Sequence, residues 1–218
     1  MSPLAIIFLA VVLLTIYLFT AAHRRPGRAA MYLLIYAAVQ LGVAATGFYK
    51  DATSLPPRFL LNLFPSVAAV IWLFFSRNGR EFVKGFDVAK MTWIHLVRVP
   101  VELVLYGMFL QRLIPRIMTF EGNNFDIVMG LTAPLIFYFG YRKGWVTPGL
   151  IKIWHGVGLL LLLNIVVTAV LAAPFPFQQI AFDQPNIGIL QAPFNLLPAV
   201  VVPLVVVGHL VGLRKNVV

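Results

Sequence analysis

Cysteine is absent from the 218-residue chain, which excludes disulfides, thiolate ligands and thiol nucleophiles. Charge is scarce: Asp, Glu, Lys and Arg make up 11% of the residues, against about a quarter in soluble domains. Acids are scarcest, with seven against seventeen basic residues. With 61% hydrophobic residues and a mean hydropathy of +0.91, the chain lacks the polar residues to cover a water-facing surface. A soluble globular protein is excluded on these grounds, and an integral membrane protein is expected.

Long apolar runs are what the sequence has in their place. About 20 apolar residues cross a bilayer core as a helix. Seven runs meet or approach that length, at 3–22, 29–49, 58–75, 87–110, 126–141, 149–172 and 192–213. The first has no basic segment ahead of it and its arginines follow it, so it reads as a spanning helix and not a signal peptide. The expected fold is all-α, one domain over 1–218, a polytopic bundle of seven transmembrane helices.

Basic residues set the direction of such a bundle. One set of connections carries twelve, Arg24 to Arg28, Arg77 to Lys90, Arg142 to Lys152, Arg214 and Lys215, and only two acids. The other set carries four basic residues and four acids, and Arg98 and Glu102 fall inside a span. The whole formal charge of +10 therefore belongs to one side, which places the N-terminus out and the C-terminus in. The partner implied is a bilayer with anionic headgroups on the cytoplasmic face, not nucleic acid, for which no motif is present.

Inside the fourth run, TWIHLVRVPVELVLYGMFL, His95, Arg98 and Glu102 fall within about 60° of one another on a helix, and Tyr106 follows one turn later. Ionisable groups at bilayer depth are expensive and face a protein interior or a water-filled cavity. This stripe predicts a polar centre. Arg98 and Glu102, four apart, also suit a purely structural pair that neutralises itself. Prolines stand near these polar positions: Pro100 lies between Arg98 and Glu102 and frees the carbonyl of Leu96, and Pro65, Pro134, Pro193, Pro198 and Pro203 interrupt other spans.

Two further groups arise from depth. His95, His155 and His209 come from three spans and all fall in the inner third. Gln40, Asn62, Ser66, Asp126, Gln191 and Asn195 fall at mid-depth or in the outer half, within reach of Glu102 and Tyr106. Asparagine and glutamine in membranes commonly serve as interhelical hydrogen-bonding glue. The two long outer connections, 111–125 and 173–191, either cap the bundle or anchor Phe175, Phe177 and Phe182 at headgroup level.

Catalytic signatures are missing. There is no HExxH, GxSxG or P-loop, and GVG at 156–158 is too short to bind phosphate. The seventh run holds no lysine that would bind retinal, and the Pro-Gln dipeptide of seven-span sugar transporters is absent. The strings HLVRVPVELVLY, MTFEGNNFDIVMGLTAP and ILQAPFNLLPAVVVPLVVVGHLVGLR resemble a family of small bacterial seven-span membrane proteins, over roughly the last 125 residues. That resemblance implies an inner-membrane location and no activity.

Three functions fit. A carrier or receptor for a small polar or ionic ligand would line its path with His95, Arg98, Glu102, Tyr106, Gln40, Asn62, Asp126 and Asn195. A membrane enzyme or cofactor carrier would hold a metal on His95, His155 and His209, or a haem on two of them. A structural or interaction subunit would use its polar groups to specify helix packing. The second reading requires the three histidine-bearing helices to converge.

Overall fold

The computed structural model describes residues 1–214, so Lys215 lies outside the described residues. Each apolar run contains helix. α1 spans Pro3–Ala21, α2 Pro26–Ala45 and α3 Leu60–Phe75, followed by the short α4, Arg77–Lys84. α5, Val88–Thr92, continues through a 3-10 segment, Trp93–Val97, into α6, Arg98–Leu110. α7, Asp126–Leu135, passes into π-helix over Ile136–Arg142. α8 spans Pro148–Leu171, and a π-helical turn, Leu197–Val201, opens α9, Val202–Arg214. No strand forms among the described residues; an isolated bridge joins His23 to Phe86.

The helix starts are written locally. Ser2, Ser76, Asp87 and Thr147 cap α1, α4, α5 and α8 by accepting backbone N–H groups three residues on. Proline occupies the first turn of α1, α2 and α8, where its missing donor is harmless. Pro100 sits in the first turn of α6, where the 3-10 segment gives way to α-helix. The Leu96 carbonyl expected to be free there is instead approached by the Arg98 amide. Pro134 and Pro198 accompany the two π segments, the usual consequence of a lost backbone bond.

Among the described residues, five helices are long and apolar enough to cross a membrane, and six are if α3 and α4, bent by 82°, count as one span. The buried core is built from α1, the 3-10 segment, α6 and α9, with Phe8, Ile94, Val97, Met108, Val205 and Val211 at its centre. α9 packs against α1, α3, α5 and α8, so its side chains meet groups from several elements.

The connection 173–191 folds back as a cap. Phe175 is buried against Phe59, with ring centroids 6.0 Å apart, and Gln184 donates to the carbonyls of Phe109 and Ile114. Phe177 and Phe182 remain exposed, so of the three phenylalanines only these two suit a headgroup anchor.

Candidate metal centre

The three histidines converge. His95 lies in the 3-10 segment, His155 on α8 and His209 on α9, and all are buried. One ring nitrogen from each lies within 4.8 Å of the others. Nδ1 of His155 and Nδ1 of His209 are 3.1 Å apart, so in two neutral rings one nitrogen carries the proton and the other accepts it. His95 stacks on His209 with ring centroids 3.8 Å apart. Both nitrogens of His95 and Nε2 of His209 have no hydrogen-bond partner among the described residues. Buried imidazole nitrogens are normally satisfied, so three open ones in one cluster point to a ligand.

Glycine makes room for the rings. A Cβ on Gly212 of α9 would collide with the His155 ring, and a Cβ on Gly158 of α8 would collide with the His209 ring and with Met129. α8 and α9 thus exchange features: each supplies an imidazole and, three residues later, the notch that receives the other's. Gly208 opens the same kind of space for His95, whose Cε1 and Nε2 lie 3.2 and 3.3 Å from its would-be Cβ. Trp154 walls the cluster, edge-on to His95 at 5.3 Å, and its indole N–H donates to Thr132. The Tyr141 hydroxyl stands 3.5 Å from Nε2 of His155, at the far edge of that ring from Nδ1.

Arg98 follows one turn after His95 and connects this cluster to the rest of the polar interior. Its Nη2 donates to the carbonyl of Gly158, the residue that seats His209, at 3.1 Å, and pairs with Asp126 of α7 at 3.3 Å. Glu102 accepts instead from the Asn124 side chain, at 2.5 Å. The structural pairing of Arg98 with Glu102 on their own helix is therefore replaced by pairing with α7 and the segment before it. Arg98 Nε and Nη1, Glu102 Oε2 and Asp126 Oδ1 have no hydrogen-bond partner among the described residues.

Tyr106 stands apart, half-buried, its ring packed 5.1 Å from Phe120. The 3-10 turn over Trp93–Val97 advances by about 120° per residue instead of 100°, which shifts the phase between His95 and residues beyond Arg98. Gln40, Asn62 and Asn195 form a separate network. Asn62 donates to the Asn195 carbonyl at 3.0 Å, Asn195 donates to the Gln40 carbonyl at 3.1 Å, and Gln40 accepts from Tyr49. Ser66 joins it through Tyr36 and donates to the Ala199 carbonyl. These groups tie α2, α3 and the start of α9 together.

Asn124, Trp154, Tyr141 and the three glycines escape a reading made span by span. One signal was present: His-x-Val-Gly occurs twice, at 155–158 and 209–212. The site has the donor set of a three-histidine metal centre, with nitrogen ligands suited to zinc, copper or iron. Tetrahedral zinc places imidazole nitrogens about 3.4 Å apart, close to the separation of the His155 and His209 pair. Haem fits less well. A porphyrin needs a flat slot beside an imidazole, and the ring faces here are taken by one another, by Trp154 and by glycine backbone. No protein-family model, curated protein or solved structure gives a significant match to this chain.

Proposed function

We propose that this chain is a seven-span membrane metalloprotein, N-terminus out and C-terminus in, which binds one transition-metal ion on His95, His155 and His209. The convergence of three buried imidazoles from three segments carries the reading. A bound ion would take Nδ1 of His155, Nδ1 of His209 and one nitrogen of His95, and the proton between the two Nδ1 atoms would move to Nε2 of the ring that carried it, which keeps both rings neutral. Held by three neutral imidazoles, the ion would supply Lewis acidity to a bound water or substrate. Trp154 and the flanking glycines hold the rings in place. Tyr141, beside Nε2 of His155, supports ligation by that ring's Nδ1, since the partner of one imidazole nitrogen fixes the role of the other.

A second reading keeps a specific observation. Arg98, Glu102 and Asp126 are buried with open polar atoms, which favours a small ionic ligand held between them. This group adjoins the metal centre through the Gly158 carbonyl, and a substrate anion on Arg98 would unite the two readings in a metal-dependent membrane enzyme.

The test uses tag-free protein purified in detergent and supplied with Zn²⁺ or Co²⁺. About one ion per chain is expected by elemental analysis, with the visible absorption of tetrahedral Co²⁺. The His155→Ala/His209→Ala variant is expected to retain less than a tenth of it. Wild-type protein that holds no ion above buffer background, or a variant that holds as much as wild type, overturns the reading.

A further inference from the structure

Among the described residues, the hydrogen bonds between α2 and α3 lie at one end of the pair. The Tyr36 hydroxyl bonds Ser66 and the Asn62 carbonyl, and Gln40 reaches the Leu61 carbonyl. From there towards Arg25 a groove of about 580 Å³ lies between the two helices, floored by α9. Its walls are apolar over most of their length, with Leu33, Ala69, Val70 and Pro203 among them. At the far end the lining becomes basic, with Arg25 and Arg28.

That end is built, not frayed. His23 is buried, stacks on Phe82 at 4.2 Å, and its Nε2 lies 3.0 Å from the Phe82 carbonyl. Its Nδ1 accepts the backbone N–H of Arg25 at 3.0 Å, which fixes where that arginine leaves the chain. α4, turned 82° from α3, brings Phe82 across the groove's end. Arg25 and Arg28 are exposed and form no ion pair among the described residues.

We infer that this groove binds one anionic phospholipid, its phosphate on Arg25 and Arg28 and an acyl chain lying between α2 and α3. Length agrees with charge. Arg25 to Tyr36 is eleven residues of rise, about 16 Å, and half a bilayer core is about 15 Å. The groove is thus one leaflet deep, basic where a headgroup sits and apolar where the chain runs. The α3–α8 groove on the other side of α3, about 550 Å³ and lined by residues such as Leu63, Leu162 and Pro198, has no basic residue and serves as an internal control for unselective lipid.

Native mass spectrometry of the full chain with added phosphatidylglycerol or phosphatidylcholine tests this. Wild type is expected to retain at least threefold more phosphatidylglycerol. Arg25→Ala/Arg28→Ala, which alters only exposed side chains, is expected to remove that preference while leaving retained phosphatidylcholine unchanged. Ala69→Trp, which keeps both arginines but fills the groove, is expected to lower retention of both lipids. Millimolar inorganic phosphate is expected not to displace the lipid. Equal retention of the two lipids by wild type overturns the inference. So does a monodisperse Ala69→Trp variant with unchanged phosphatidylglycerol binding, or displacement by phosphate alone, which would mark a headgroup or free-anion site without a chain. The inference is independent of the metal centre, and His155→Ala is expected to bind lipid as wild type does.

Discussion

Glycine inside a helix costs about 1 kcal/mol relative to alanine, so Gly158, Gly208 and Gly212 are unfavourable unless something needs the space they leave. Imidazole rings occupy that space at Gly158 and Gly212, and Ile94 together with the His95 ring occupies it at Gly208. Gly212→Ala and Gly158→Ala are therefore expected to lower metal occupancy and to destabilise the protein by about 1–3 kcal/mol, as overpacking does. Gly156→Ala, on α8 with nothing within 4 Å of its would-be Cβ, is expected to be neutral or to stabilise by up to about 1 kcal/mol. Thermal unfolding in detergent together with elemental analysis checks all three. Arg98 gives a second prediction. Removing one member of a buried ion pair strands its partner, so Asp126→Ala should cost about 3–5 kcal/mol. The double replacement Arg98→Met/Asp126→Leu should cost less than the two single changes combined, as a double-mutant cycle would measure. His95, Arg98, Glu102 and Asp126 were legible in the sequence because an ionisable group in an apolar run needs an explanation. That Arg98 pairs with Asp126 and Glu102 with Asn124 was not legible, since partners on other elements are fixed by tertiary packing and not by spacing along one helix.

At the scale of the element, α3 is the exception. Asn62 and Ser66 are its buried residues, so it is held by hydrogen bonds more than by an apolar face. Interhelical hydrogen bonds in membranes are worth about 0.6 kcal/mol each on average and up to about 1.7. The Asn195 side chain donates to Asn62 Oδ1 at 3.2 Å, so a double-mutant cycle on Asn62→Ala and Asn195→Ala is expected to return a coupling in that range, and Ser66→Ala to loosen α3 without touching metal occupancy. The apolar runs located the helices because hydrocarbon imposes a length on any segment that crosses it. They could not show where the fourth run tightens into 3-10 helix, or where Pro134 and Pro198 widen the backbone into π-helix. Proline marks where a backbone bond is lost, while its neighbours decide how the helix makes up for it.

The whole molecule joins residues 22–24 to 85–87 at one end, where Arg24 and Asp87 make backbone bonds to Gly85 and Ala22, and caps the other end with Phe175. The proposed orientation puts the first of these ends in the cytoplasm. With no native cysteine, a single one placed by Arg28→Cys or Arg80→Cys is expected to resist a membrane-impermeant maleimide in intact cells. Arg58→Cys and Arg116→Cys are expected to react. Labelling at the first pair reverses the orientation. Charge counted by connection is what predicts this orientation, whereas the meeting of three histidines depends on how helices distant in sequence lie against each other. The mutual seating of His155 in Gly212 and His209 in Gly158 has a last consequence for anyone who re-engineers the fold. Neither helix can be transplanted, shortened or re-registered alone. A one-residue insertion between His155 and Gly158 would turn the ring by about 100° against the notch on its own helix, so that the two could no longer both face α9. A chimaera must carry α8 and α9 together or lose the centre.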